Sequence, residues 1–394
     1  MEKDPVVIAS IARTPMGSFQ GTLSSVAGPD LGSVAIKSSL ERANIDPGDV
    51  SEVIMGCVLP AGQGQAPARQ AAINAGIPVA VGATTINKMC GSGMKATMFG
   101  HDLVVAGSAN IAVVGGLESM SNTPYLLPKA RQGYRMGHAE VKDHMFLDGL
   151  EDAYAEGQLM GHFAENTAEK YQFSREAQDD FAIRSLERGK KANEDGSFDA
   201  EMAVVKVSSR KGDKIVEKDE QPFSANIEKI RGLKPAFRKN GTVTPANSSS
   251  ISDGASAMVL MRRSEAEKRG IAPLAQIVSH STFSQDPAWF TTAPVGAISR
   301  LFEKTGWSTK DVGLYEINEA FAVVTMAAMK EHGLNPDQVN VHGGACAMGH
   351  PVGSSGSRII CTLVAAMQKY NVDKGVAALC IGGGEALSML VERI

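Results

Sequence analysis

At both ends of this chain, short apolar runs bounded by glycine alternate with helix-length amphipathic segments. That alternation restricts the fold more than any other feature. Strand candidates are 6–10, 50–58 and 111–115 in the first part, and 275–279, 312–317, 376–381 and 386–391 in the last. Strands of this kind, separated by helices, belong to an α/β layer architecture. The two ends also echo each other. Leu40-Glu41 followed by Asp49-Val50 returns as Phe302-Glu303 followed by Asp311-Val312 at one constant offset, and Gly115-Gly116-Leu117-Glu118 returns as Gly383-Gly384-Glu385. Ordered matches favour a duplicated α/β unit, and 394 residues leave room for two or three domains.

The middle, 119–247, is richer in charge and reads as an insertion between the repeats, a place where substrate contacts concentrate. Within it, 174–191 has the pattern of an amphipathic helix with Ser174 as N-cap. Farther on, Ser264-Glu265-Ala266-Glu267 has the form of a capping box, with Gly270 closing a short helix.

Composition narrows the function classes. A formal charge of -4 argues against a general affinity for nucleic acid or anionic membrane. No signal-peptide pattern opens the chain and no run of about 18 apolar residues occurs, so no membrane span is expected. The 41 glycines beside 5% aromatics point to many tight turns and close backbone approaches. Cys57, Cys90, Cys346, Cys361 and Cys380 are scattered and contain no C-x-x-C pair. They form neither a disulfide framework nor a zinc pattern, and reduced thiols in a cytoplasmic protein are the expectation.

Four segments carry the groups that chemistry needs. In Asn87-Lys-Met-Cys90-Gly-Ser-Gly-Met, a cysteine stands where a strand turns into a helix, and helix N–H groups there favour the thiolate. A merely packed thiol fits the segment as well. In Gly349-His350-Pro351-Val-Gly-Ser-Ser-Gly, a histidine is held in irregular backbone. Alone it reads as structural, but a cysteine–histidine pair is the minimum kit for activating a thiol. Cys380-Ile-Gly382-Gly-Gly384-Glu places a second cysteine at a strand end before glycine N–H groups able to form an oxyanion hole; a strand-end thiol before a turn is the plainer reading. Asn318-Glu319-Ala-Phe321-Ala follows a strand, where surface polar residues are unremarkable.

Taken together and in this order, these four motifs resemble those of the thiolase family. The similarity runs over nearly the whole chain, including Ala12-Arg-Thr-Pro-Met-Gly and Asn240-Gly-Thr-Val-Thr-Pro-Ala-Asn. The resemblance implies an α/β fold of duplicated domains in five layers (αβαβα) with an inserted loop domain. Residues 1–118 plus 248–269 would form the first thiolase domain, 119–247 the loop domain and 270–394 the second. The implied activity is an acyltransferase that reversibly condenses two acetyl-CoA to acetoacetyl-CoA and CoA through an acyl-cysteine. By the same resemblance Cys90 is the nucleophile, His350 takes its proton and Cys380 exchanges the α-proton. A water held by Asn318 would make one oxyanion hole with His350, and the N–H groups of Cys90 and Gly382 the other. Ser249, Phe237, Met160, Ala246, Phe321 and Phe290 would line the pantetheine arm and the acyl pocket. No metal and no cofactor besides the CoA substrates is implied, and the assembly would be a homotetramer or homodimer.

Two departures stand out. The family's biosynthetic members commonly read His-Met-Gly where this chain has Leu159-Met160-Gly161. Some members also place an arginine towards the adenine, where Asp219-Glu-Gln-Pro-Phe-Ser offers no cation. Alternatives are a thiolase of broader chain length, a decarboxylating ketosynthase (which would carry histidine in place of Cys380) and a silent acyl-CoA-binding relative.

Overall fold

A computed structural model describes residues 4–210 and 212–394. In chain order its main elements are β1 (Val6–Arg13), α1 (Gly28–Ala43), β2 (Glu52–Gly56), α2 (Pro67–Asn74), β3 (Gly82–Ile86), α3 (Ser92–Ala106) and β4 (Ile111–Ser119). The inserted region contributes α4 (Met160–Tyr171) and α5 (Arg175–Glu194). There follow β5 (Ser252–Arg262), α6 (Arg263–Lys268), β6 (Ala275–Ser284), α7 (Ala293–Thr305), β7 (Leu314–Ile317), α8 (Ala322–His332), α9 (Val352–Tyr370), β8 (Lys374–Ile381) and β9 (Glu385–Arg393).

The strands run in the order β7-β8-β9-β6-β1-β5-β4-β2-β3. The order is a repeat: β1, β5, β4 and β2 in the first half correspond to β6, β9, β8 and β7 in the second. In both halves the first and last strands lie side by side and the pairing turns parallel towards the outside. Thus the faint echo between the two chain ends is an echo of topology.

Alternation along the strands sorts their side chains into layers. Val7, Val53 and Val113 pack outward against Leu31, Ile36 and Ala71 of α1 and α2. Ile8, Val114 and Leu260 point the other way, into a core shared with Leu379, Leu387 and Met389 of the second half. Between these inner faces lie α3 and α9. On the far side, Tyr315, Val376 and Leu390 pack against Ile298 and Leu301 of α7 and Ala328 of α8. This makes five layers. All residues of α9 from Val352 to Met367 are buried, as a helix enclosed on every side requires. Its N-terminus approaches β4 so closely that a Cβ on Gly116 would lie 1.9 Å from the Gly353 carbonyl oxygen.

Ser119 and Asp253 are register partners in the sheet, so the chain between them leaves and returns at one spot. A buried charge group ties this excursion to the core: Arg13, at the end of β1, places Nε 2.6 Å from Glu201 and Nη1 2.6 Å from Asp219. Removing one partner of such a group costs about 3–5 kcal/mol because it strands the other charge.

Every expected strand forms, with ends shifted at 50–58 and 312–317, where the ladders cover only Glu52–Gly56 and Leu314–Ile317. A hairpin of Val205–Ser209 and Gly212–Val216 lies outside the expected set, and two of the main strands of the central sheet also escape periodicity. One is β3, Gly-Ala-Thr-Thr-Ile at the sheet edge, and the other is β5, which opens on Ser-Asp-Gly. Ser174 caps α5 by accepting from the Ala177 N–H. The expected capping box fails, however. Helix α6 starts at Arg263, and Ser264 instead bonds Asp4 through both its N–H and its hydroxyl. A carboxylate from the far end of the chain has replaced the local cap. Gly270, at φ 69°, closes that helix as expected. Among the described residues no helix is long and apolar enough to cross a membrane.

Candidate active site

Cys90 lies in the turn between β3 and α3. Its neighbour Met89 holds φ at 48°, a left-handed conformation that a methionine adopts only when its surroundings impose it. They do so through side-chain bonds: Asn87 Oδ1 accepts from Met89 N–H, and Ser92 Oγ accepts from Lys88 N–H while donating to the Met89 carbonyl. The turn presents Cys90 Sγ to its own N–H and to the N–H of Gly382. Burial outweighs these two donors and pushes the thiol up to about 11. The expectation that the helix start favours the thiolate is therefore corrected. In this pocket desolvation is the larger effect, and the sulfur needs a base.

His350 supplies a candidate. Gly349 before it sits at φ 103°, and a Cβ there would lie 1.9 Å from Ser252 Oγ, so only glycine fits. The His350 N–H donates to the Ser250 carbonyl at 3.0 Å. Its Nδ1 lies 2.5 Å from Ser355 Oγ, and Ser355 donates to the Pro351 carbonyl at 3.1 Å. A hydroxyl has one proton to give. With that proton on Pro351, Ser355 must accept from Nδ1–H, which leaves the lone pair on Nε2. That Nε2 is buried and has no hydrogen-bond partner among the described residues. Burial, aided by the charge of Arg358, lowers the imidazole to about 3. It is a neutral base.

Cys380 ends β8 opposite Ala386 and is fully buried. Burial raises its thiol well above the ordinary range, and the charge of a Cys90 thiolate raises it further. The two sulfurs are thus within electrostatic reach of each other. Asn318 follows β7 and donates its N–H to the Ala378 carbonyl. Both atoms of its side-chain amide are buried without a partner among the described residues, a condition that costs free energy unless the site needs them. Neither Asn318 nor Glu319 is a surface residue, contrary to the plain reading of that strand end. Glu319 accepts from Ser185, Asn340 and the Cys346 N–H, fixing the segment that leads to His350.

Met160, Phe237, Phe290 and Phe321 share one apolar cluster with Cys380. Phe237 meets Phe321 edge-on at 5.9 Å. Met160, Gly382, Gly383, Met89 and Tyr154 line a cavity of about 280 Å³. Phe290 is only 2% exposed and stands behind that wall, with its ring edge against Phe163. Ala246 and Cys346 border a second cavity of about 350 Å³, and Lys229 also lines it. Lys229 stands on the helical turn Ile227–Ile230, beyond 219–224. Ser249 donates its N–H to the Ala320 carbonyl, and Ser248 bridges Phe321. The serine run is a docked strap.

Comparison with known proteins decides the family. Residues 6–264 match the family model described as thiolase, N-terminal domain, and residues 271–393 match thiolase, C-terminal domain. The chain belongs to the thiolase family. It is 48% identical to an acetyl-CoA acetyltransferase of Schizosaccharomyces pombe over 100% of both chains. It is 48% identical to one of Cupriavidus necator, over 98% of this chain and 99% of the relative. With the cytosolic acetyl-CoA acetyltransferase of Mus musculus it shares 49%, over 99% and 98%.

Two residues of this thiolase's site were missed in the sequence. Ser355 sets the tautomer of His350, and its only signal was a position one helical turn beyond Pro351. Glu118 is fully buried and accepts from the N–H groups of Val58, Leu59 and Gly353 and from the Cys57 thiol. It joins the loop beside Cys90 to the start of α9. Burial lifts its carboxyl to about 7 despite those donors.

Proposed function

We propose that this thiolase is an acetyl-CoA C-acetyltransferase, reversibly converting two acetyl-CoA to acetoacetyl-CoA and CoA. One observation carries the reading: Cys90 stands under two N–H donors, beside a second buried cysteine, in a site with a neutral histidine whose Nε2 is free. Full-length relatives named acetyl-CoA acetyltransferases support it.

His350 Nε2 takes the Cys90 proton, and the thiolate attacks the thioester carbonyl. The oxyanion develops against the N–H groups of Cys90 and Gly382. CoA leaves as the thiol, reprotonated by His350, and acetyl remains on Cys90. A second acetyl-CoA enters, with its thioester oxygen towards Asn318 and His350. Cys380 gives its proton to the neutral His350 and, as thiolate, removes the α-proton. Its elevated thiol pKa suits this task, because a stronger base better matches a carbon acid. The enolate attacks acetyl-Cys90 and acetoacetyl-CoA departs. The released Cys90 thiolate takes the proton held on His350, Cys380 keeps the α-proton as its thiol, and the enzyme is restored.

Met160 borders the acetyl end. Phe237, Phe321, Ser249 and Ala246 follow the pantetheine arm, and Lys229 meets the charged end of CoA. CoA thioesters are substrates, and the chemistry calls for no further cofactor. The assembly is a homotetramer or homodimer, a reading supported by β3, an open sheet edge of the kind that invites pairing. The compartment is the cytoplasm, supported by the cytosolic name of the mouse relative.

Incubation with acetyl-CoA should add one acetyl mass to the peptide holding Cys90, and Cys90→Ser should abolish turnover. Labelling on another cysteine overturns the assignment. The broader 3-oxoacyl-CoA thiolase replaces this reading if 3-oxooctanoyl-CoA is cleaved as fast as acetoacetyl-CoA.

A further inference from the structure

Away from the active site, one group of histidine and acidic side chains converges from the two halves of the molecule. His101 and Asp102 lie on α3, and His280 lies on β6. His101 Nδ1 is 2.9 Å from Asp102 Oδ1, and His280 Nε2 is 3.1 Å from the same oxygen. The three ligand atoms all lie within 4.8 Å of one another, and the two rings meet edge-on at 5.1 Å. Among the described residues this is the only group of three or more histidine, cysteine or acidic side chains able to hold a metal ion.

We propose that His101, Asp102 and His280 form a binding site for a divalent transition-metal ion. Two imidazoles and a carboxylate are the donor set of zinc-like ions rather than of calcium or magnesium, which take oxygen. Tetrahedral coordination with bonds of about 2.0–2.1 Å places neighbouring donors about 3.3 Å apart. Both carboxylate–imidazole distances already lie near that value. The imidazoles are mostly covered, with side chains 17% and 19% exposed, while Asp102 is 57% exposed. The rings are therefore held and the carboxylate side stays open, leaving a coordination position for solvent.

In the metal-free arrangement both rings direct N–H to one carboxylate oxygen. A dication takes the place of these two protons, and each ring carries its proton on the other nitrogen, with no net release. Opposing charge comes from Lys304, which donates to the His280 carbonyl at 3.0 Å, and from Lys95, which lies within electrostatic reach of Asp102. They set a moderate rather than a very tight affinity. An ion here joins residues 178 apart in the chain. It braces α3, whose N-terminus follows Cys90, against β6, whose neighbour β9 pairs with the strand of Cys380. The ion acts as a clip between halves, not as a participant in the chemistry.

The test uses the full-length protein, chelator-treated and then carboxamidomethylated so that Cys90 cannot compete for metal. Titration with Co²⁺ should produce visible d–d absorption saturating at one ion per chain, without a thiolate charge-transfer band. Zn²⁺ should displace it, and both ions should raise Tm. His101→Gln, Asp102→Asn and His280→Gln should each weaken Co²⁺ binding by more than about tenfold, and Lys304→Gln should tighten it. All four side chains are at least partly exposed, so folding is retained and is checked by Tm without metal. No saturable Co²⁺ band, or equal binding by His101→Gln and His280→Gln, overturns the proposal and leaves a hydrogen-bonded histidine pair.

Discussion

Ser355 Oγ lies 2.5 Å from His350 Nδ1 while giving its own proton to the Pro351 carbonyl. The bond fixes which ring nitrogen is basic. In Ser355→Ala the imidazole keeps its place beside Pro351 but loses the acceptor that selects the tautomer. Turnover should fall by up to about 100-fold, the lower end of what a positioned general base contributes. Ser355→Thr, which keeps the hydroxyl, should recover most of the loss. Equal rates for the alanine variant and the parent would remove Ser355 from the mechanism.

The acid limb of the rate profile should lack the usual histidine step. His350 is lowered from about 6.5 to about 3 by burial, so it stays neutral and basic well below pH 6. Because the folded value is depressed, its neutral form contributes stability above the unfolded value, and that contribution is lost as the pH falls towards 3. Activity should thus persist through pH 6, within the range where the protein remains folded. Cys90, pushed up to about 11, should be alkylated by iodoacetamide at a rate still climbing above pH 9. A plateau already at pH 7 would mean a thiolate–imidazolium pair instead.

The two cysteines should separate in function. Cys380→Ser keeps Cys90 and its donors, so acetyl transfer from acetyl-CoA should survive. Exchange of the α-protons into D₂O and net condensation should be lost, since a serine hydroxyl is a far poorer acid–base there. Undiminished exchange would reduce Cys380 to a packed thiol.

Met160 and Phe290 should respond differently to truncation. Met160 lines the 280 Å³ cavity, and Met160→Ala should admit six- and eight-carbon substrates while slowing acetoacetyl-CoA thiolysis. Apolar pockets discriminate by about 1–3 kcal/mol per methylene, so shifts of roughly 10- to 200-fold in relative kcat/KM are the scale to look for. Phe290 stands behind the wall, and Phe290→Ala should chiefly cost stability, by about 3–5 kcal/mol. Denaturant midpoints and a chain-length series together separate the two effects.

Much of this was legible in the residues. Buried strands such as 376–381 appear as continuous apolar runs because both their faces meet helices, and the glycine-flanked cysteines and histidine drew attention through irregular backbone. What stayed hidden depends on partners far along the chain. Ser264 looked like a local cap because nothing near it in sequence reveals Asp4. Cys90 looked thiolate-prone because helix ends are local, whereas the desolvation that overrides them comes from packing. Glu319 looked like a strand-end polar residue and Glu118 only like part of a repeat, although each is a buried junction between loops. Lys229 was passed over because the cavity it lines is closed by residues as distant as Cys346.

The contact between Gly116 and Gly353 has a consequence for how the molecule can come apart. Helix α9 is chain from the second half, yet its N-terminus rests on β4 of the first with no room for a methyl group. The middle layer is therefore common property: pulling it away bares the inner faces of both sheets at once. Neither half owns a complete core, and a peptide comprising one repeat would carry an uncovered apolar face. A protease cut at exposed Gly270, between the repeats, should accordingly leave two fragments that stay together and remain active until denatured.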